Sequence, residues 1–399
     1  MSNMPLKGIK VVEMGTLIAG PYCGHLLANF GAEVIKVEPP KIGDPMRVWG
    51  KATKEDRSLW WSVQSRNKKC VTLDLRKEEG QSIARKLIKE ADILIENFRP
   101  GRMEGWNLGF KDLVEVNPKL IMVRITGFGQ TGPYRDKTGF GSVGEAMGGL
   151  RYVTGYPDRP PSRIGISIGD SVAAMFGAIG ALMALYNRDL NNGPGQEIDV
   201  ALYESIFALM ESSLIEYDKL GYLRERTGTV LPGIAPSNIY PTKDGKGIII
   251  GANQDNIFKR LAELMEQPEL GEDPKYATHV ARGERQIELD EIVSNWTEQY
   301  DRDELNEMLD KAAVPAGPIY SIADIVNDVQ YAARDMIREM EDPVWGKVKH
   351  PGIVPKLSET PGDIQWTGPG LGEHNHEIYG DLLGLPKQKI EELSSSGII

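Results

Sequence analysis

Roughly the first 130 residues alternate between short apolar runs and amphipathic or small-residue stretches. Gly8-Ile-Lys-Val-Val-Glu-Met14 predicts a strand, Pro21 to Phe30 a helix and Ala32-Glu-Val-Ile-Lys-Val37 a second strand, which together make a βαβ unit of a parallel sheet. The alternation continues through Cys70-Val-Thr-Leu-Asp-Leu75, an amphipathic helix from Glu78 to Glu90, and apolar strands at Ile93-Leu-Ile95 and Leu120 to Thr126. The pattern predicts an α/β fold whose large domain is doubly wound and Rossmann-like. From Arg224 the character changes. An Asp-Gly turn lies between short strands in Tyr240 to Ile250, and charged helices follow through Asp310, which predicts a smaller α+β domain. A Pro- and Gly-rich stretch from Asp342 to Glu373, then a helix near Ile378, reads as a segment wrapping over other surface. The expected divisions are 1–223, 224–325 and 326–399, the last returning to the large domain.

Composition narrows the function. The chain has 399 residues, 41% hydrophobic and 26% charged, and a formal charge of −11, which argues against a nucleic-acid partner. No window approaches the roughly 18 consecutive apolar residues of a membrane span, and Met1-Ser-Asn-Met-Pro-Leu-Lys7 lacks the apolar core of a signal peptide. The expectation is a cytoplasmic protein without a membrane partner, with Cys23 and Cys70 as reduced thiols. Only His374 and His376 of the histidines lie close together, too few ligands for a metal.

Candidate chemistry centres on Asp170. It is the lone carboxylate in Gly165-Ile-Ser-Ile-Gly-Asp170, followed by Ala, Leu and Met at the spacing of a buried helix. Asp170 therefore sits where an N-cap belongs, a role typically worth roughly 1 kcal/mol. The cap is the ordinary reading of such a position, and a carboxylate kept ionised at a helix N-terminus, with glycines that admit another molecule, is also suited to act as a nucleophile. Two literal dinucleotide patterns, Gly127-Phe-Gly129-Gln-Thr-Gly132 and Gly139-Phe-Gly141-Ser-Val-Gly144, fail on context. The first runs into Pro133-Tyr134-Arg135-Asp136, and the second follows no strand. Basic residues gather at Arg66-Asn-Lys68-Lys69, at Arg76 and at Asn97-Phe-Arg99-Pro-Gly-Arg102, beside ends of predicted strands. Ligands of open α/β sheets bind there, and an adenosine phosphate would fit.

Together these residues resemble the class III coenzyme A transferases, the family of formyl-CoA:oxalate and carnitine CoA-transferases. The likeness runs from about Leu6 to Leu385 and rests on Ile18-Ala-Gly-Pro21, Gly31-Ala-Glu-Val-Ile-Lys-Val-Glu-Pro39, Arg66-Asn-Lys68 with Leu73-Asp-Leu75, Glu96-Asn-Phe-Arg-Pro-Gly101, Gly169-Asp170, Gly195-Gln-Glu-Ile-Asp199, Val314-Pro-Ala-Gly-Pro318 and Leu371-Gly-Glu-His374. The resemblance implies that Asp170 attacks an acyl-CoA thioester to give an acyl-aspartyl anhydride, then an aspartyl-CoA thioester. It implies coenzyme A contacts from Leu73, Arg76, Asn97, Phe98, Arg99 and Lys137, with Arg66 and Lys68 in the same basic set. It further implies a glycine-rich flap at Gly251-Ala252-Asn253-Gln254, a substrate-pocket position at Ile18, and a ring-shaped chain interlocked with a second copy as a homodimer. The expected ligands are acyl-CoA and a small carboxylic acid, with no tightly bound cofactor and no metal.

Departures from the family sharpen the expectation. Ile18 and Gly141 stand where the oxalate branch has a glutamine and an acidic residue, and Gly105 stands at a family basic position. Phe140 and Gly141 replace the His-Asp pair of the α-methylacyl-CoA racemases, which removes a proton carrier and leaves acyl transfer favoured. Gly141 suggests room for an acid larger than oxalate, and Arg47, Arg151 and Arg163 are candidates for a second carboxylate. The expected donor is of the succinyl type and the acceptor a small organic acid, with a carnitine-like zwitterion as the alternative.

Overall fold

A computed structural model describes residues 4–55 and 57–399. Its central sheet has six strands, β1 (Lys10–Glu13), β2 (Glu33–Glu38), β3 (Lys68–Thr72), β4 (Ile93–Glu96), β5 (Ile121–Thr126) and β6 (Gln196–Ala201). They lie in the order β3-β2-β1-β4-β5-β6 with every pairing parallel, the doubly wound arrangement. The strands read as continuous apolar runs because both faces are covered. Val11, Val34, Ile93, Ile95, Ile121 and Val123 point to one side, towards helices α1 (Ala19–Ala28) and, later in the chain, α4 (Ile168–Leu190). Val12, Ile35, Val37, Leu94 and Met122 point to the other, towards α2 (Glu78–Lys89). That helix buries Ile83, Ala84, Leu87 and Ile88, and its Glu78 and Glu79 at the first turn and Lys86 and Lys89 at the last suit the helix dipole.

Between β5 and α4 comes the short helix α3 (Gly141–Met147). The expected buried helix after Asp170 is α4, whose Ala173, Ala174, Gly177, Ala178, Ala181 and Ala184 lie against the sheet. A Cβ at Gly177 would stand 3.1 Å from Val123, so small residues are what allow helix and sheet to touch. The sequence expectation that nothing approaches a membrane span needs correcting here. By length and composition α4 is apolar enough to cross a membrane, although more than half of its apolar stretch is buried in the fold. Its outward face carries Phe176, Ile179, Leu182, Met183 and Tyr186, all exposed.

Met1–Arg151, Ile164–Leu220 and Ala333–Ile399 form one compact unit, and Tyr152–Arg163 with Gly221–Ala332 form a second. The second contains an antiparallel sheet of β7 (Ser237–Pro241), β8 (Gly247–Gly251) and β9 (Ala316–Pro318) around a core that includes Tyr240, Ile248, Phe258 and Leu289. The C-terminal segment covers the edge strand β3. The His374 amide donates to the Cys70 carbonyl, Asn375 accepts from the Thr72 amide at 2.9 Å, and the Tyr379 hydroxyl donates to the Thr72 carbonyl at 2.8 Å. An edge that would otherwise offer unpaired backbone groups is thereby closed.

The hairpin of β10 (Ile337–Asp342) and β11 (Gly346–Pro351) brings buried His350 beside Ser62, which donates to Asp342 at 2.6 Å. Burial, reinforced by the nearby Arg66 cation, pushes His350 down to about 4, and burial likewise lowers His25. The folded state therefore favours neutral imidazoles. The stability this contributes is complete above the ordinary histidine value near 6.5 and is lost as pH falls through about 4. Melting temperature should fall across that window, with His350 contributing up to about 3 kcal/mol, and the decline should be shallower in His350→Gln. Parallel curves for the two proteins would rule this origin out.

Candidate active site

A cleft of about 190 Å³ opens at the carboxyl ends of β1, β4 and β5. Strand order reverses between β1 and β4, which is where open α/β sheets bind ligands. Thr16 to Ala19 follow β1, Asn97 to Arg99 follow β4, Thr126 ends β5 and Gly127 follows it; all line the cleft, as do Arg135, Lys137, Phe140 and Asp170. The structure thus brings together Asp170, Ile18, Asn97, Phe98, Arg99 and Lys137. Thr16, Leu17, Ala19 and Arg135 were not singled out from the sequence, although three of them flank Ile18.

Asp170 is the third residue of α4, with Ser167 at the N-cap, so the helix begins earlier than an N-cap at Asp170 would require. The carboxylate still lies in the first turn, where the dipole favours negative charge. Glycines decide what surrounds it. A Cβ at Gly141 would stand 2.0 Å from Asp170 Oδ2 and 2.7 Å from its Cγ. Gly141 is therefore not open room for substrate, as its small size suggested: the Asp170 carboxylate fills the space. Gly127 and Gly139, one from each dinucleotide-like pattern, cross so closely that a Cβ on either would meet the other's Cα at 2.5 or 2.4 Å. These glycines serve backbone approach around the carboxylate. Beneath them Glu145, buried, accepts from the Gly169 amide at 3.4 Å and pairs with Arg151 at 2.7 Å.

Two further clefts adjoin the first. One, of about 240 Å³, shares Thr16 and Phe98 with it and is lined by Met14, Leu73, Leu75, Arg76 and Trp106 among others. The other, of about 360 Å³, shares Arg99 and Pro100 and adds Arg102 and Gly105. Phe98 stands at the junction, its ring edge-on to Trp106 at 5.2 Å and its amide donated to buried Glu96 at 2.7 Å. Burial raises the Glu96 carboxyl, and its partner Arg124, 2.7 Å away, opposes the rise. Leu73 is a buried wall residue, whereas the Arg76 side chain is exposed and held by Asp74 at 2.8 and 2.9 Å. Arg99 donates to the Asp136 carbonyl at 2.8 Å, and the Lys137 ammonium lies 3.4 Å from the centre of the Tyr134 ring. Asn97 spends its amide on the loop: it accepts from the Thr16 amide at 2.7 Å and donates to the Thr16 carbonyl at 2.9 Å.

Arg66 and Lys68 do not join this group. Both are buried; Arg66 donates to Asn29 at 3.1 Å and to the Pro351 carbonyl at 2.8 Å, and Lys68 pairs with Glu13 at 2.6 Å. Lys69 is held by Glu33 and Glu377 at 2.7 and 2.6 Å, so all three cations are committed to partners within the protein, Arg66 to neutral oxygens and the two lysines to carboxylates. Arg47 is likewise committed, buried against Glu38 at 2.7 Å and stacked 3.9 Å from the Trp61 ring centre. Arg151 serves Glu145, and Arg163 lies in the second unit. The guanidiniums that do line the Asp170 cleft are Arg99 and Arg135.

Gly251 to Gln254 belong to the second unit, at the end of β8. There they form a pinned turn: the Gly251 amide donates to the Pro315 carbonyl at 2.8 Å, the Ala252 amide to that of Pro236 at 2.9 Å, and the Asn253 carbonyl accepts from buried Arg282 at 2.7 Å. Gln254 opens the helix α5 (Asp255–Leu264). Among the described residues no group of three His, Cys, Asp or Glu side chains is placed to hold a metal, and burial raises both Cys23 and Cys70 above the ordinary thiol value.

Residues 6–375 match the family described as CoA-transferase family III. The chain is 55% identical over 395 residues to succinyl-CoA–D-citramalate CoA-transferase of Chloroflexus aurantiacus, spanning 99% of this chain and 98% of that protein. It is 42% identical over 399 residues to the alpha subunit of succinyl-CoA–L-malate CoA-transferase of Chloroflexus aurantiacus, spanning 100% of this chain and 93% of that one. Among solved structures, a CAIB/BAIF family protein from Brucella suis superposes with a TM-score of 0.83 at 35% identity, covering 95% of this chain and 100% of that one.

Proposed function

The chain belongs to CoA-transferase family III, and from that premise we propose that it moves coenzyme A from succinyl-CoA to a small 2-hydroxy dicarboxylic acid through covalent intermediates on Asp170. The observation that carries the reading is the shared cleft: Asp170 lies in one lining with Phe98, Arg99 and Lys137 at the switch point of the sheet. An Asp170 oxygen attacks the thioester carbonyl and the C–S bond breaks, giving a succinyl-aspartyl anhydride and CoA thiolate. The thiolate attacks the aspartyl carbonyl, releasing succinate and leaving aspartyl-CoA. The acceptor carboxylate then expels the thiolate to form a second anhydride. Attack of the thiolate on its acyl carbonyl yields the new acyl-CoA and restores the Asp170 carboxylate.

Coenzyme A occupies the adjoining clefts, with Leu73 and Phe98 as apolar wall and Arg76, Arg99 and Lys137 facing its phosphates. Arg135 provides a guanidinium for the substrate's second carboxylate, a partner that carnitine would leave unused. Proton abstraction beside a carbonyl is disfavoured, since no histidine stands among the described residues lining the cleft. The working protein is a homodimer, interlocked as the resemblance implies. The exposed apolar face of α4, with Phe176, Ile179, Leu182, Met183 and Tyr186, supports a second copy as its cover.

The test is an assay with succinyl-CoA and D-citramalate, L-malate, oxalate or carnitine, on protein whose solution mass is expected at twice the 44.1 kDa chain. Succinate and a new acyl-CoA should form with the two hydroxy diacids, at kcat/KM at least about 100-fold above oxalate and carnitine, because unpaired polar groups in a cleft reject ill-matched ligands by such factors. Equal turnover of carnitine would overturn the acceptor assignment.

A further inference from the structure

Beneath the Asp170 cleft lies a cluster of buried charges that the transfer chemistry does not use. Glu13, Lys36, Asp44 and Lys68 are each 1% exposed or less. Lys36 pairs with Glu13 at 2.9 Å and with Asp44 at 2.8 Å, and Lys68 pairs with the other Glu13 oxygen at 2.6 Å. Buried ion pairs of this kind seldom add stability over apolar side chains of similar volume. Their reach into the neighbouring loop suggests a different use.

Three successive residues, Gly15 and the Thr16 and Leu17 that begin the cleft wall, are gripped through their backbone. Lys36 donates to the Gly15 carbonyl. Asn97 holds both the amide and the carbonyl of Thr16. Asp44 accepts the Leu17 amide at 3.1 and 3.3 Å through its two oxygens, and also the Met46 amide at 2.9 Å. Leu17 needs the grip, because its φ of 64° is left-handed, a conformation that costs a non-glycine residue on the order of 1 kcal/mol. Leu17, Ile18 and Ala19 then form the wall that shares the cleft with Asp170.

The geometry points to Asp44 and Lys36 as positioning residues for the transfer: by holding Gly15-Thr16-Leu17 in one strained conformation they fix the wall against which the acyl group meets Asp170. The inference rests on the proposed role of Asp170 as nucleophile. Reacting groups displaced by about 1 Å can lose on the order of 100-fold in rate, so a loosened wall should slow acylation without weakening capture of the coenzyme A body in the adjoining clefts.

The experiment measures the single-turnover rate of CoA adduct formation and KM for succinyl-CoA in wild type, Asp44→Asn, Leu17→Ala and Leu17→Gly. Asp44→Asn keeps the shape and removes the charge. Both Leu17 variants lose the side chain, but only glycine takes a φ of 64° freely and also escapes it freely. Asp44→Asn should slow adduct formation about tenfold or more, and Leu17→Gly should be at least about fivefold slower than Leu17→Ala, with KM within about threefold of wild type throughout. Adduct formation in Leu17→Gly as fast as in Leu17→Ala would overturn the inference, and that pair decides the matter even if Asp44→Asn does not fold. A wild type that transfers CoA without any adduct would instead overturn the nucleophile assignment, so the two failures are distinct.

Discussion

Asp170→Asn is expected to lower kcat for CoA transfer by on the order of 10⁴-fold or more while leaving the fold intact. The carboxylate oxygen is the atom that forms both anhydrides and the aspartyl thioester, and an amide cannot supply it. Asparagine has the same shape, so it still fits beside Gly141, where the carboxylate takes the place that a Cβ would claim. Loss of negative charge in the first turn of α4 should cost stability only about 0.3–1 kcal/mol. Activity measured by acyl-CoA chromatography should collapse at nearly unchanged melting temperature. A variant retaining a tenth of wild-type kcat would show that the acyl group travels by another route.

Gly141→Ala should produce the second largest effect, and its signature is unusual. Gly141 is the first residue of α3, where alanine is the better helix former by up to about 1 kcal/mol. Its φ is not in the left-handed region, so the backbone offers no objection. The obstacle is Asp170, whose Oδ2 would lie 2.0 Å from the new methyl carbon. The carboxylate must swing away, and misplacement of a nucleophile on that scale costs on the order of 100-fold in kcat. The expected variant is as stable as wild type and nearly inactive. Stability loss with full activity would mean that the carboxylate works from another position.

Much of the architecture was legible because it rests on local signals. Alternating strands and helices through Thr126 announced a parallel sheet, and the Asp-Gly turn after Tyr240 announced the antiparallel one. The lone carboxylate before an Ala-rich helix drew attention to Asp170, and Asn97-Phe98-Arg99 follow β4 in the lining of the same cleft. What was not legible depends on partners distant in sequence. Arg66 and Lys68 read as part of a basic set for coenzyme A, yet Lys68 meets Glu13 across the sheet and Arg66 meets Pro351 from the C-terminal hairpin. Arg47 read as a candidate for a substrate carboxylate, but Glu38 and Trp61 hold it. Gly141 read as empty space because a missing side chain does not say what fills the gap. The start of α4 was placed too late because Ser167-Ile-Gly carries no helical periodicity of its own.

The proposed mechanism also explains why so many glycines gather at one point. Gly127, Gly139, Gly141 and Gly169 each face a neighbouring backbone or the nucleophile at a distance no Cβ would permit. Together they let the end of β5, the start of α3 and the start of α4 converge on a single carboxylate. Asp170 thus gains a fixed position with little side-chain bulk around it, which suits a group that must be approached by a thioester, a thiolate and a second carboxylate in turn.

The central claim is that Asp170 becomes covalently joined to coenzyme A during turnover. Intact mass of wild type and Asp170→Asn, measured after quenching an incubation with succinyl-CoA and again after hydroxylamine, tests it directly. The account predicts a CoA-sized, hydroxylamine-sensitive adduct on wild type and none on the variant; an adduct of that size persisting on Asp170→Asn, or wild-type turnover with no adduct at all, would contradict it.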